Sequence, residues 1–197
     1  MTPERKDIII KTLNNRQPDL TVVLENVGEP GNVSAVMRTC DAVGVREIYV
    51  LNTKILDHKK YSRKSSSGAL KWLIVHQFNN TEACMQAVRK RYSKIYATHM
   101  ASEAISLYQM DLTQSIALVF GNEKTGVSEE CLPYCDGNFI IPQVGVVSSL
   151  NISVACAVTL YEAYRQRAEK GFYNGTSRMT ESEWNELAHK LKMDSRT

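Results

Sequence analysis

The run IPQVGVVSSLNISVACAV, residues 141–158, decides how this chain is read. An apolar stretch is broken by Ser148, Ser149 and Asn151, then resumes as a pattern of small residues through Ser153, Ala155, Cys156 and Ala157. One polar side chain suffices to cap a helix N-terminus, and Asn151 or Ser149 can fill that role. The others need partners or a ligand, because a buried polar group left unpaired is costly. From Asn151 to about Glu169, Ile152, Ala155, Cys156, Leu160 and Ala163 line one helix face. Val154, Val158 and Tyr161 make a second apolar stripe, so this helix is expected to be buried from more than one direction.

Upstream, strand and helix patterns alternate. LTVVLEN (20–26), REIYVLN (46–52), LKWLIVHQF (70–78), KIYATHM (94–100), SIALVFG (115–121) and NFIIP (138–142) read as strands, several of them apolar on both faces. Helical spacing runs from Asn32 through Val33, Val36, Met37 and Cys40 and stops at Gly44. A second helix covers 81–92, and a short one is expected at 128–135. This alternation predicts an α/β fold with a mostly parallel sheet and helices on both faces. At the C-terminus TESEWNELAHKL (180–191) opens with a capping box, Thr180 and Glu183. Residues 1–19 and 169–197 are read as helical extensions on one domain spanning 20–168.

Composition narrows the function classes. No apolar run reaches the length of a membrane span, and MTPERKDIII lacks the features of a signal peptide, so a cytoplasmic protein is expected. The five cysteines are scattered, which suggests reduced residues rather than a disulfide framework. Cys131 and Cys135 have no further ligand at metal-site spacing, so no metal is expected. From His58 to Thr81 there is no acidic residue, while Lys59, Lys60, Arg63, Lys64 and Lys71 fall there. A second basic cluster is Arg89, Lys90, Arg91 and Lys94. Each alone reads as a solvated face; the two together point to a polyanion, most simply nucleic acid.

Ligands of open parallel sheets bind beyond the carboxyl ends of the strands, where three loops stand out. In NVGEPGNVSAVMRTCDAVGV (26–45), Asn32 is placed to cap a helix, and Arg38 is placed to pair with Asp41 on the next turn. In FGNEKTGVSEE (120–130), Gly121 and Gly126 flank Glu123, either as a close approach for a ligand or as a turn with an exposed carboxylate. The lysine spacing excludes a P-loop, and no G-x-G-x-x-G supports a dinucleotide dehydrogenase. The third loop is the opening stretch.

Taken in order, these loops resemble the three motifs of the SPOUT superfamily, specifically the TrmH family of RNA ribose 2′-O-methyltransferases: NVSAVMRTCDAVGV, FGNEKTGV and IPQVGVVSSLNISVACAV. The likeness runs from about Arg16 to Arg167 and, with the two extensions, is greatest to members that modify tRNA at guanosine 18 in the D-loop. It implies a deep C-terminal trefoil knot, S-adenosylmethionine as methyl donor with no metal, and a homodimer with its active site at the subunit interface. It implies Thr98, Gly121, Ile141 and Leu150 as cofactor contacts. Arg38 matches the catalytic arginine, supplied by the partner subunit, with Asn32, Glu123, Ser149 and Asn151 positioning it and the ribose. An arginine stays protonated in proteins, so stabilising an alkoxide, or holding a phosphate that accepts the proton, suits it better than acting as a free base. Lys59, Lys60, Arg63 and Lys64 are the expected RNA contacts. Methylation of ribosomal RNA or of the tRNA wobble nucleotide stays open, as does a non-catalytic RNA-binding protein on the same fold.

Overall fold

A computed structural model describes residues 2–55, 71–147 and 149–191. Its strands are β1 (Leu20–Glu25), β2 (Glu47–Leu51), β3 (Ile74–Phe78), β4 (Lys94–Thr98), β5 (Ile105–Ser106), β6 (Ile116–Phe120) and β7 (Gly137–Ile140). They form one sheet in the order β3-β2-β1-β6-β4-β7-β5, parallel at every pairing. The helices are α1 (Pro3–Asn14), α2 (Pro30–Ala42), α3 (Thr81–Arg89), α4 (Ile152–Glu169) and α5 (Glu181–Lys190).

The central strands β1 and β6 are buried along their whole length, as their uninterrupted apolar runs require. Successive side chains point to opposite faces. Leu20, Val22 and Leu24 with Ile116, Leu118 and Phe120 meet a layer built from Val33, Val36, Met37 and Cys40 of α2 and Ile152, Cys156, Leu160 and Ala163 of α4. Val23, Ala117 and Val119 pack on the other face against Cys84, Met85 and Val88 of α3. Helices therefore cover both faces, and α2 and α4 lie against each other.

Several local expectations change. The strand read at 70–78 begins at Ile74. The helix read at 128–135 shrinks to one 3₁₀ turn, Leu132–Tyr134, where Pro133 lacks the N–H a longer helix needs. The two-residue edge strand β5 was too short to leave a periodic pattern. The second stripe of α4 is only partly covered in the single chain: Val158 packs against the core, but Val154 is 47% exposed and Tyr161 54%. The five cysteines are unpaired; four are buried and Cys135 is half-buried.

The terminal extensions dock on each other. Ile9 and Leu13 of α1 form a separate apolar cluster with Met179, Trp184, Leu187 and Ala188. The Trp184 indole donates to Asn14 Oδ1 at 3.0 Å, and the Thr180–Glu183 capping box is formed. Arginines tie both extensions to the body of the domain, Arg178 of the C-terminal extension pairing with Asp19, just before β1, at 2.7 Å. Arg16 pairs with Asp41 at 2.5 Å and Arg167 with Asp19 at 2.6 Å.

Half of the second basic cluster is committed to ion pairs within the fold. Arg89 pairs with Asp136 at 2.9 Å, and Arg91 reaches Glu47 at 2.7 Å and Glu183 at 2.8 Å, which removes two of its four cations from the expected polyanion surface. Glu47 also accepts from Arg46, Tyr49 and Tyr92, beside His76. Burial alone would raise its pKa. The His76 hydrogen bond and the charges of Arg91 and Arg46 outweigh that and lower it to about 2.

Candidate active site at the carboxyl ends of the strands

Residues from all three sequence motifs converge where the strands end. Helix α2 starts at Pro30, two residues before the expected Asn32, and its N-cap residue Glu29 makes no side-chain cap. The loop after β6 holds the chain just ahead of the helix. Glu123 Oε2 accepts from the Gly28 N–H at 3.1 Å, and Oε1 accepts from the Glu29 N–H at 3.4 Å and from Asn32 Nδ2 at 2.8 Å. A carboxylate at a helix N-terminus is favoured by the free N–H groups and the helix dipole. Partial burial opposes ionisation of Glu123, but the bonds from Asn32 and the backbone prevail, holding it below the usual carboxylate range.

Asn32 passes this order on to the third motif. Its Oδ1 accepts from Asn151 Nδ2 at 3.2 Å. Asn151 is the N-cap of α4, its Oδ1 accepting from the Ser153 N–H at 2.9 Å and the Ser153 hydroxyl at 2.6 Å. One hydrogen-bonded chain, Asn151–Asn32–Glu123, thus joins three loops far apart in sequence. Asn32 does not cap its own helix; it is the middle of this chain.

The other expected site residues fall into three groups. Thr98 ends β4, its hydroxyl donating to Val119 O at 3.2 Å, while Gly121 follows β6, and Ile141 and Leu150 bound the loop between β7 and α4. Ser149 is exposed and makes no hydrogen bond to another described residue. Arg38 lies two turns into α2, exposed and without an ion-pair partner among the described residues. Its expected pairing with Asp41 does not form, because Arg16 takes that carboxylate. Lys59, Lys60, Arg63, Lys64 and also Ser148 lie outside the described residues.

The loop suits a ligand with both apolar and hydrogen-bonding parts. Val144 and Val146 are fully exposed and Val147 is 67% exposed. Residues 142–147 make no main-chain hydrogen bond to other described residues. Free backbone donors and acceptors beside apolar side chains fit a nucleoside such as that of S-adenosylmethionine. In the loop after β6, a Cβ at Gly121 would lie 2.1 Å from the Gly126 carbonyl carbon, so only glycine permits this turn.

Two residues of this framework carried no functional signal in the sequence. Asn26 has a φ of +51°, and its carbonyl accepts from Asn122 Nδ2 at 2.7 Å. The buried Glu25 carboxylate accepts from the Ser128 N–H at 2.9 Å and hydroxyl at 2.5 Å. An asparagine just after a buried strand is the trace such a left-handed turn leaves.

A parallel α/β sheet with an asparagine–carboxylate chain across three strand-end loops makes a polar ligand site at the carboxyl ends of the strands. The chain belongs to the SpoU rRNA Methylase family, which matches residues 19–161, in agreement with the resemblance of its three motifs. It is 42% identical over 173 residues to the tRNA (guanosine(18)-2′-O)-methyltransferase of Thermus thermophilus, covering 88% of each chain. Its fold is similar to that of the A. aeolicus TrmH/SpoU tRNA modifying enzyme, with a TM-score of 0.87, 34% identity, and coverage of 96% of this chain and 95% of that one. It is also similar to the SpoU methyltransferase AviRb from Streptomyces viridochromogenes in complex with AdoMet, with a TM-score of 0.70 and 30% identity, covering 78% of this chain and 62% of that one.

Proposed function

We propose that this protein transfers a methyl group from S-adenosylmethionine to a tRNA ribose 2′-hydroxyl, at guanosine 18. The observation that carries the reading is the Asn151–Asn32–Glu123 chain, which fixes polar groups of all three motifs at one site. The substrate assignment rests on the likeness to guanosine-18 enzymes over most of the chain.

S-adenosylmethionine supplies a methyl carbon on a sulfonium, so a hydroxyl nucleophile needs alignment and a route for its proton but no metal. Residues 141–150, Thr98 and Gly121 hold that donor, through backbone groups and apolar contacts. Asn32 and Asn151 orient the ribose, and because Glu123 and the α4 cap already fix their amides, little reorganisation is needed on binding. The Arg38 guanidinium stabilises the developing alkoxide or holds the RNA phosphate that accepts its proton. Ser149, exposed at the same mouth, contacts the nucleotide.

The reading includes a homodimer in a cytoplasmic setting, and the knot expected of the family. Arg38 has no partner in its own chain among the described residues, which suits an arginine that serves the partner's site. Val154, Tyr161 and Tyr164 leave an apolar strip bare on α4, as an interface between copies would require. Lys59, Lys60, Arg63 and Lys64 are the proposed phosphate contacts, which position RNA without reading it.

The test is methyl transfer from labelled S-adenosylmethionine to an unmodified tRNA transcript and to one carrying 2′-deoxyguanosine at position 18. Label is expected in the first alone and absent with an Arg38→Ala variant. Equal labelling of both transcripts moves the site elsewhere in tRNA, and no label with the cofactor still bound moves the substrate to ribosomal RNA or removes the activity.

A further inference from the structure

We propose that Asn26 is a positioning residue for this site, acting through Asn122 on the turn that presents Glu123. The inference rests on the methyltransferase reading and adds a residue to its machinery.

Among the described residues, Asn26 is the only non-glycine with a positive φ. It is 5% exposed and every polar group it has is used. Its N–H donates to Leu51 O at 2.8 Å, extending the pairing of β1 with β2. Its Oδ1 accepts from the Thr53 and Lys54 N–H groups, both at 2.9 Å, and its Nδ2 donates to Thr53 Oγ1 at 3.1 Å. These side-chain bonds lock the left-handed conformation, which asparagine tolerates better than other residues with a Cβ. That conformation turns the carbonyl of Asn26 onto Asn122 Nδ2 at 2.7 Å.

Asn122 completes the relay. Its Oδ1 accepts from the Lys124 N–H at 2.9 Å and the Thr125 N–H at 3.3 Å, and its backbone pairs both ways with Gly126. Glu123 is therefore carried on a turn whose shape is set by the Asn122 side chain, and that side chain is held in place by Asn26. Glu25, the residue before, anchors the far end of the same loop through Ser128. A plain turn-former would need the backbone angle alone; Asn26 also uses its amide to reach a second segment.

Asn26→Gly keeps the backbone conformation and deletes the amide, whereas Asn26→Asp keeps the accepting oxygen. For N26G, kcat for tRNA methylation is expected to fall about tenfold, the equivalent of roughly one or two hydrogen bonds. The KM for tRNA and the affinity for S-adenosylmethionine should stay within about twofold. N26D should recover most of the loss. In a double-mutant cycle with Asn122→Ala the effects should be strongly non-additive. Unchanged kcat in N26G, no recovery in N26D, or additive effects would each overturn the proposal. Amide exchange at Thr53, Lys54, Lys124 and Thr125 needs no substrate and should quicken in N26G and slow again in N26D. Unaltered exchange at Lys124 and Thr125 sinks the relay whether or not tRNA is methylated; a wild-type protein inert toward tRNA, with exchange altered as expected, overturns the proposed function and leaves the relay standing.

Discussion

Glu123 does two jobs that one substitution separates. As an anion it sits at the N-terminus of α2 and holds the backbone that enters it, and as an acceptor it fixes Asn32. Glu123→Gln keeps one accepting oxygen but no charge. It should cost about 1 kcal/mol of stability through the weakened bonds to the Gly28 and Glu29 N–H groups and the lost charge at the helix N-terminus and roughly tenfold or more in kcat through Asn32. Urea unfolding and single-turnover methyl transfer read the two effects apart. Because the Glu123 pKa is lowered by its hydrogen bonds, its charged form persists as pH falls past the normal carboxylate range. Any acid limb in kcat assigned to this group should lie below that range and vanish in E123Q. The sequence showed Glu123 between two glycines but not its partners, which lie more than ninety residues away. Asp41 tells the same story: the helical spacing offered Arg38 as its neighbour, while the bond went to Arg16, 25 positions distant.

Helix α4 and the turn at Gly121 show which features of an element are legible. Its start was readable, since Asn151 both interrupts an apolar run and caps the helix. Buried strands such as β1 and β6 announced themselves as apolar runs, whereas the edge strand β5 has too few residues for any period. The core face of α4 was also clear, and Leu160→Ala on it should cost about 2–5 kcal/mol, measurable by urea denaturation; a cost below 1 kcal/mol would mean the layer between α2 and α4 repacks freely. What one chain's pattern cannot reveal is whether an apolar stripe meets its own sheet or another molecule, which is why Val154 and Tyr161 emerged exposed. Replacing both with Asp should convert the proposed dimer to monomers in sedimentation, with little change in the fold by circular dichroism. Gly121→Ala drives a methyl into the Gly126 backbone, so it should abolish cofactor binding by calorimetry while Gly145→Ala, with open space around it, keeps the protein folded.

A carboxylate remote from the chemistry makes stability depend on pH. Glu47 has a folded pKa of about 2 against an ordinary value of 4.5, so it binds a proton less readily when folded. Its contribution is full above about pH 4.5 and is lost as pH falls toward 2, amounting to about 3 kcal/mol at most. The stability difference between wild type and Glu47→Gln should shrink across that window. A difference that stays constant from pH 6 to pH 2.5 would remove Glu47 as the cause. Arg46 and Arg91 lead from this carboxylate to Glu186 and Glu183 on α5, so acidification should loosen the C-terminal helix along with the sheet edge.

The junction of the two chain ends has an optical consequence. Both tryptophans of the protein, Trp72 and Trp184, sit in the apolar cluster between α1 and α5. Intrinsic tryptophan emission therefore watches the docking of the termini and is blind to the catalytic loops. A red shift as pH falls from about 4.5 toward 2, or on trimming a few residues from the N-terminus, would register the release of one end from the other, without any added dye.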